Sequence, residues 1–113
     1  MTTAESTPLF TYEISEAGNA TDGFNTTITC HGKVVTQTAE QVKALVKPLI
    51  TRGGRIALDF ADVTQVDSSG LGALVGLKVS AVGAGYCNLE LLNLSQRVQD
   101  LFKLTKLMEM FSS

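Results

Sequence analysis

Near the start of the chain Phe10, Tyr12 and Ile14 alternate with polar residues, the two-residue period of a half-buried strand. Gly18-Asn19 and Asp22-Gly23 then interrupt the pattern, so a turn or long loop is expected over residues 16–23. Alternation resumes at Phe24, Thr26, Ile28 and Cys30 and is read as stopping at His31-Gly32, giving a second strand antiparallel to the first. The period changes next. Ala39, Val42, Leu45, Val46, Leu49 and Ile50 recur three and four apart, which is one stripe of a helix. Thr36 or Thr38 is placed to cap its start, Gly53-Gly54 to end it, and Pro48 to kink it or loosen its preceding turn. Arg55 to Phe60 is a short apolar run expected to form a central buried strand. Beyond Val63-Thr64-Gln65-Val66, the turn Asp67-Ser68-Ser69-Gly70 opens a second helical pattern. There Leu71, Leu74, Val75, Lys78 and Val82 share one face, and Gly83 and Gly85 close the helix. Tyr86 to Leu92 reads as another strand, and Ser95 starts a third helix with Val98, Leu101, Phe102 and Thr105 aligned. Met108 to Phe111 is either a last short strand or an apolar tail over the end of the core.

The resulting order is β-β-α-β-α-β-α, with or without a closing β. Right-handed crossovers between successive strands from Phe24 onward make the middle of the sheet parallel, while the N-terminal strand stays antiparallel. The expectation is a small α/β domain with a mixed sheet and three helices. Residues 1–8 are polar and read as a flexible lead-in, which leaves 9–113 as a single domain.

Composition narrows what such a domain does. The hydrophobic content of 44% in 113 residues supplies one core and excludes disorder throughout. Lysine and arginine total 9 against 11 aspartates and glutamates, so the chain lacks the basic footprint of a nucleic-acid binder. A single histidine and 18% charged residues leave little equipment for catalysis, and the chain is not expected to be an enzyme. Cys30 and Cys87 lie in strand-like runs, where a reduced thiol behaves as a small hydrophobe. With no CxxC and no Cys/His cluster, neither a metal nor another cofactor is expected. No apolar run approaches the roughly 20 residues of a membrane span, and the start lacks the features of a secretory signal. A cytoplasmic protein without membrane insertion is the expectation. His31 has no acidic or nucleophilic neighbour in the sequence and reads as an ordinary turn residue. The absence of a Gly-x-Ser-x-Gly elbow argues against a hydrolase. Asp59 and Asp62 read as edge or loop contacts before they read as an acid/base pair.

The chemistry worth weighing sits at Asp67-Ser68-Ser69-Gly70-Leu71-Gly72. Three readings compete there. Asp67, Ser68 or Ser69 caps the helix and the glycines permit close packing. Alternatively, Gly70, Gly72 and Gly76 form a phosphate-binding loop, although Val75 stands where the dinucleotide fingerprint requires its third glycine. Lastly, a serine displayed at a helix N-terminus serves as a phosphoacceptor, its phosphate meeting free N–H donors and the positive end of the helix dipole.

Leu58 through Leu74, reading LDFADVTQVDSSGLGAL, resembles the strand, loop and Asp-Ser-Ser-Gly-Leu-Gly helix start of the STAS domains, and among them the single-domain anti-sigma factor antagonists. Gly32-Lys33-Val34-Val35 through Glu40 is similar to that family's turn and following helix, and Leu101 to Leu107 to its closing helix. Lys33 and Val35 stand where the family carries glutamate and aspartate, and Lys106 where glycine is common. The resemblance implies a STAS fold and a switch protein whose Ser68 is phosphorylated by a kinase-type anti-sigma factor and dephosphorylated by a serine phosphatase. The unphosphorylated form would bind that kinase and release a sigma factor. Asp67, Ser69, Gly70 and Leu71 would surround the acceptor, and Val34, Val35, Thr36, Gln37, Thr38 and Gly72 would belong to the partner-binding face. The alternatives are a STAS scaffold subunit of a sensory assembly or an accessory subunit of a lipid-transport ATPase, with Ser68 only a cap. A small-nucleotide-binding module is the remaining alternative. The oligomeric state is left open.

Overall fold

The computed structural model describes residues 8–19, 21, 23–106 and 111. In chain order its elements are β1 (Phe10–Asn19), β2 (Gly23–Val34), α1 (Ala39–Arg52), β3 (Gly54–Val66), α2 (Ser68–Ala84), β4 (Cys87–Leu92) and α3 (Gln96–Leu104). The strands form one four-stranded sheet in the order β1-β2-β3-β4. β1 runs antiparallel to β2, while β2–β3 and β3–β4 are parallel. This is the mixed α/β sheet with three helices that the periodicity predicts. Both crossovers step the same way along the sheet, so α1 and α2 lie on one face and pack against each other. Ile28 and Cys30 of β2, Ile56, Leu58 and Phe60 of β3 and Leu89 of β4 fill that face. Val42, Val46 and Ile50 of α1, Leu74 and Leu77 of α2 and Val98 and Phe102 of α3 close over it.

The strands are longer than the sequence pattern indicates. Of the turn or loop expected over residues 16–23, residues 16–19 and 23 are paired backbone, with Ala17 opposite Asn25 and Asn19 opposite Gly23, and Thr21 lies in a turn between the two strands. β1 is an edge strand buried only at Phe10, so its second half has no buried side to leave an alternating signature. β2 does not end at His31-Gly32. Gly32 adopts φ +98°, and a side chain there would meet the Leu9 carbonyl, so the glycine serves a register shift inside the strand. β3 likewise joins the 55–60 run to Val63-Val66 in a single strand of 13 residues.

Helix details differ as well. Thr38 occupies the N-cap of α1, but its hydroxyl turns back to accept from the Val35 N–H at 2.9 Å and donate to the Lys33 carbonyl at 2.8 Å. Thr36 is committed elsewhere, so neither threonine caps α1 through its side chain. Pro48 lies on the exposed side of α1, which continues to Arg52. On α2 the buried face carries Leu71, Leu74, Leu77 and Lys78, whereas Val82 is 66% exposed and Gly83 lies within the helix. Lys78 is buried and donates to the Leu89 carbonyl at 2.8 Å, with its ammonium beside the Phe111 ring. Phe111 is helical and packs edge-on against Phe102, covering the end of the core. The possible strand over Met108 to Met110 and the lead-in over residues 1–7 lie outside the described residues.

Candidate functional site at the start of α2

β2 and β3 run in parallel and end side by side, at Val34 and Val66. Each is followed by a helix, so both connections emerge at one edge of the sheet. The Asp67 N–H donates to the Val34 carbonyl at 3.2 Å and extends the pairing by one residue. Asp67 is the N-cap of α2, with extended backbone, and its Oδ1 accepts from the Gly70 N–H at 2.8 Å. Its other oxygen, Oδ2, accepts from the Thr36 N–H at 3.0 Å and from the Thr36 hydroxyl at 3.1 Å. The Thr36 hydroxyl also lies 3.0 Å from Ser69 Oγ. A hydroxyl has one proton, so with Thr36 donating to the carboxylate, Ser69 donates to Thr36. The Gly70 N–H, then that of Thr36, hold the Asp67 carboxyl below the usual carboxylate range. Asp67 thus ties the β2–α1 loop to the first turn of α2.

Gly70 is fixed by space. A Cβ there would sit 1.8 Å from the Val34 carbonyl oxygen, so α2 starts this close to β2 only with glycine at that position. At Gly72 and Gly76 an added Cβ meets nothing within 4 Å. Close packing therefore requires glycine at Gly70 and at neither of the other two positions.

Ser68 is the first residue of α2 and is exposed. Its hydroxyl has no partner among the described residues, in contrast to those of Thr36, Thr38 and Ser69. The predicted surroundings divide by burial. Asp67 is half-buried and Ser69 exposed, while Gly70 and Leu71 are buried beneath the turn. Of the predicted partner stretch, Val34, Val35 and Thr38 are buried, so Thr36 and Gln37 present their side chains to solvent, next to the exposed Gly72. Thr36 separates two clefts. One, of about 490 Å³, is lined by Lys33, Val35, Gln37, Gln65, Asp67 and Leu9 as well as Thr36. The other, of about 440 Å³, runs between α1 and α2 past Glu40, Lys43, Ser69, Gly72 and Gly76.

His31 is the residue that sequence reasoning misplaced. It lies within β2 rather than in a turn, with Nδ1 2.6 Å from Asp62 Oδ2 and Nε2 2.8 Å from Glu13 Oε1. Those partners come from β3 and β1, far along the chain, and no local motif announces them. Asp62 is therefore committed to His31. Asp59 accepts from the Ala61 N–H and from Asn93, so the two aspartates form no acid/base pair. Cys30 is buried and its thiol is pushed up to about 12, while burial also raises the half-buried Cys87; both thiols are free. Among the described residues no cluster of His, Cys, Asp and Glu is arranged to hold a metal ion, and no helix is long and apolar enough to cross a membrane.

The architecture is shared with solved structures. The anti-sigma factor antagonist SpoIIAA in its unphosphorylated form superposes with a TM-score of 0.70 at 22% identity, over 88% of this chain and 84% of that one. The Bacillus cell fate determinant SpoIIAA in the phosphorylated form gives 0.66 at 20% identity, over 88% and 87%. A sulfate transporter family protein from Wolinella succinogenes gives 0.65 at 20% identity, over 76% and 70%. At these identities the likeness establishes the fold. No curated protein matches by sequence. The STAS domain family model matches residues 17–113, most of the chain, and the protein belongs to the STAS domain family.

Proposed function

We propose that this STAS domain is a phosphorylation-switched regulator, not an enzyme, that binds a kinase-type anti-sigma factor when Ser68 is unmodified and releases it when Ser68 carries phosphate. One observation carries the reading: Ser68 is the exposed first residue of α2, with its hydroxyl uncommitted because Asp67 performs the capping. A kinase can reach such a hydroxyl without unfolding the domain. The phosphate adds about −1.5 to −2 charges beside the Asp67 carboxylate, on a chain whose net charge is -2. The α2 N-terminus accommodates that charge in the free protein through its N–H groups and dipole. A partner docked over Thr36, Gln37, Ser69 and Gly72 would instead bury the phosphate without its water. A penalty of about 1–3 kcal/mol lowers affinity by roughly five- to 150-fold. A serine phosphatase would restore binding. The fold shared with the antagonist SpoIIAA in unphosphorylated and phosphorylated forms supports this reading.

Incubation with a kinase-type anti-sigma factor and ATP tests it. Wild type should take one phosphate and Ser68→Ala none, and Ser68→Asp should lose a partner that Ser68→Ala retains. Phosphate on Ser68→Ala, or equal binding by both variants, would overturn the proposal. The likeness to a sulfate transporter family protein supports a second reading as a docking subunit of a larger assembly. In that case binding to the partner is indifferent to the residue at position 68.

A further inference from the structure

His31 stands on the sheet face opposite α1 and α2, bridging a carboxylate on each neighbouring strand. Both ring nitrogens lie within hydrogen-bond distance of a carboxylate oxygen, at 2.6 Å and 2.8 Å. A neutral imidazole carries one N–H and points a lone pair at the second carboxylate; only the imidazolium donates to both. The hydrogen bonds to Glu13 and then Asp62 accordingly raise the His31 pKa above the ordinary histidine value. The charged groups facing the ring are Glu13 from β1 and Asp62 from β3. Asp59, the preceding carboxylate on β3, accepts from Ala61 and Asn93 instead, and Lys33 lines the cleft beside Asp67.

The bridge sits at a weak point of the sheet. The β2–β3 ladder shifts register between Thr29 and His31 and again between Gly32 and Lys33, where β3 carries extra residues. Five residues beyond His31 on one chain segment is Thr36, and five beyond Asp62 on the other is Asp67, the pair that joins the two connections at the candidate site. We infer that the His31 imidazolium is a protonation-dependent brace, fixing β1, β2 and β3 at the register shift and so setting the Thr36–Asp67 contact beside Ser68. Loss of the proton leaves one carboxylate facing a lone pair and loosens the ends of both strands. The raised pKa gives the sign: the brace is complete below the ordinary histidine value, as long as both carboxylates are ionised, and is lost as pH rises through the folded-state value. The regulatory weight of this brace rests on the switch proposed for Ser68; the coupling itself does not.

NMR titration of the whole chain tests it without any partner. The His31 ring should titrate above free histidine, and Glu13→Gln and Asp62→Asn should each lower its midpoint. The Thr36 amide shift should follow the same midpoint in wild type and stay flat in His31→Gln, with a several-fold fall in Thr36 amide protection above that midpoint. A ring midpoint at or below that of free histidine, or a Thr36 amide indifferent to it, would overturn the inference. A protein in which these titrations hold but Ser68 takes no phosphate would overturn the switch and leave the brace standing.

Discussion

Two helices of this domain begin with the same type of chemistry and use it differently. At the start of α3, Ser95 is the N-cap, and its hydroxyl accepts from the Val98 N–H at 3.2 Å. At the start of α2, the carboxylate of Asp67 does this work, and Ser68 and Ser69 follow inside the helix. Ser95 is consumed by structure. Ser68 is not, because its neighbour has taken the orphan N–H of Gly70. A serine at a helix start is thus available for modification when another residue has already satisfied the first turn. In α2 that residue is also anchored from outside, by Thr36 on the β2–α1 loop, whereas Ser95 caps α3 with no such tie among the described residues.

The largest way to break the comparison is to move the start of α2 itself. Gly70→Ala places a Cβ 1.8 Å from the Val34 carbonyl and forces the helix away from β2. It is expected to lower unfolding free energy by about 3 kcal/mol, at the upper end of overpacking costs, measured by urea denaturation. Gly72→Ala meets nothing and removes a helical glycine, so it should raise stability by about 0.5–1 kcal/mol. Equal effects at the two glycines would mean that α2 does not depend on its approach to Val34.

Next in size is removal of the cap. Asp67→Ala deletes the acceptor for Gly70 and for Thr36 together, so the urea midpoint should fall by less than in Gly70→Ala and by more than in Ser95→Ala. With Asp67 gone, the neighbouring serines become the acceptors nearest the first turn, and the phosphorylation proposed for Ser68 should slow. The pH dependence is a second readout. Hydrogen bonds hold the Asp67 carboxyl low in the folded state, so its stabilisation is present above the unfolded carboxylate value. It is lost as pH falls through the lowered folded value. Asp67→Asn should therefore lose less stability than wild type over that acid range, and parallel pH profiles would refute the assignment.

The parts of this arrangement that were legible in the sequence are the local ones. The caps at Asp67 and Ser95 lie within three residues of the N–H groups they satisfy, so composition and spacing reveal them. Composition and spacing leave Ser68 and Ser69 as equal candidates there, and the resemblance to the STAS domains is what singles out Ser68. The second half of β1 could not, since an edge strand exposed at nearly every residue has no apolar period to read. Gly32 was misread because a glycine with positive φ looks the same in sequence whether it ends a strand or sits at a register shift within one. α2 is apolar around its whole circumference, so spacing alone placed Val82 inside when the helix buries Leu77. His31 was illegible for a different reason. Its partners are 18 and 31 residues away and meet it only after three strands align.

The smallest expected effect is the one that sharpens the comparison most. Ser95→Ala removes a hydroxyl that accepts from a helix N–H, and should cost about 1 kcal/mol. Ser68→Ala removes a hydroxyl that has no partner among the described residues, and should change stability by less than about 0.5 kcal/mol. The two substitutions are chemically identical and both residues are exposed, so desolvation nearly cancels between them, while helix propensity favours alanine only at Ser68, which lies inside its helix. Apart from that propensity, what remains is the value of the cap. If Ser68→Ala proved as costly as Ser95→Ala, the Ser68 hydroxyl would be serving the first turn of α2 after all. A phosphate there would then have to displace a structural bond before it could displace a partner.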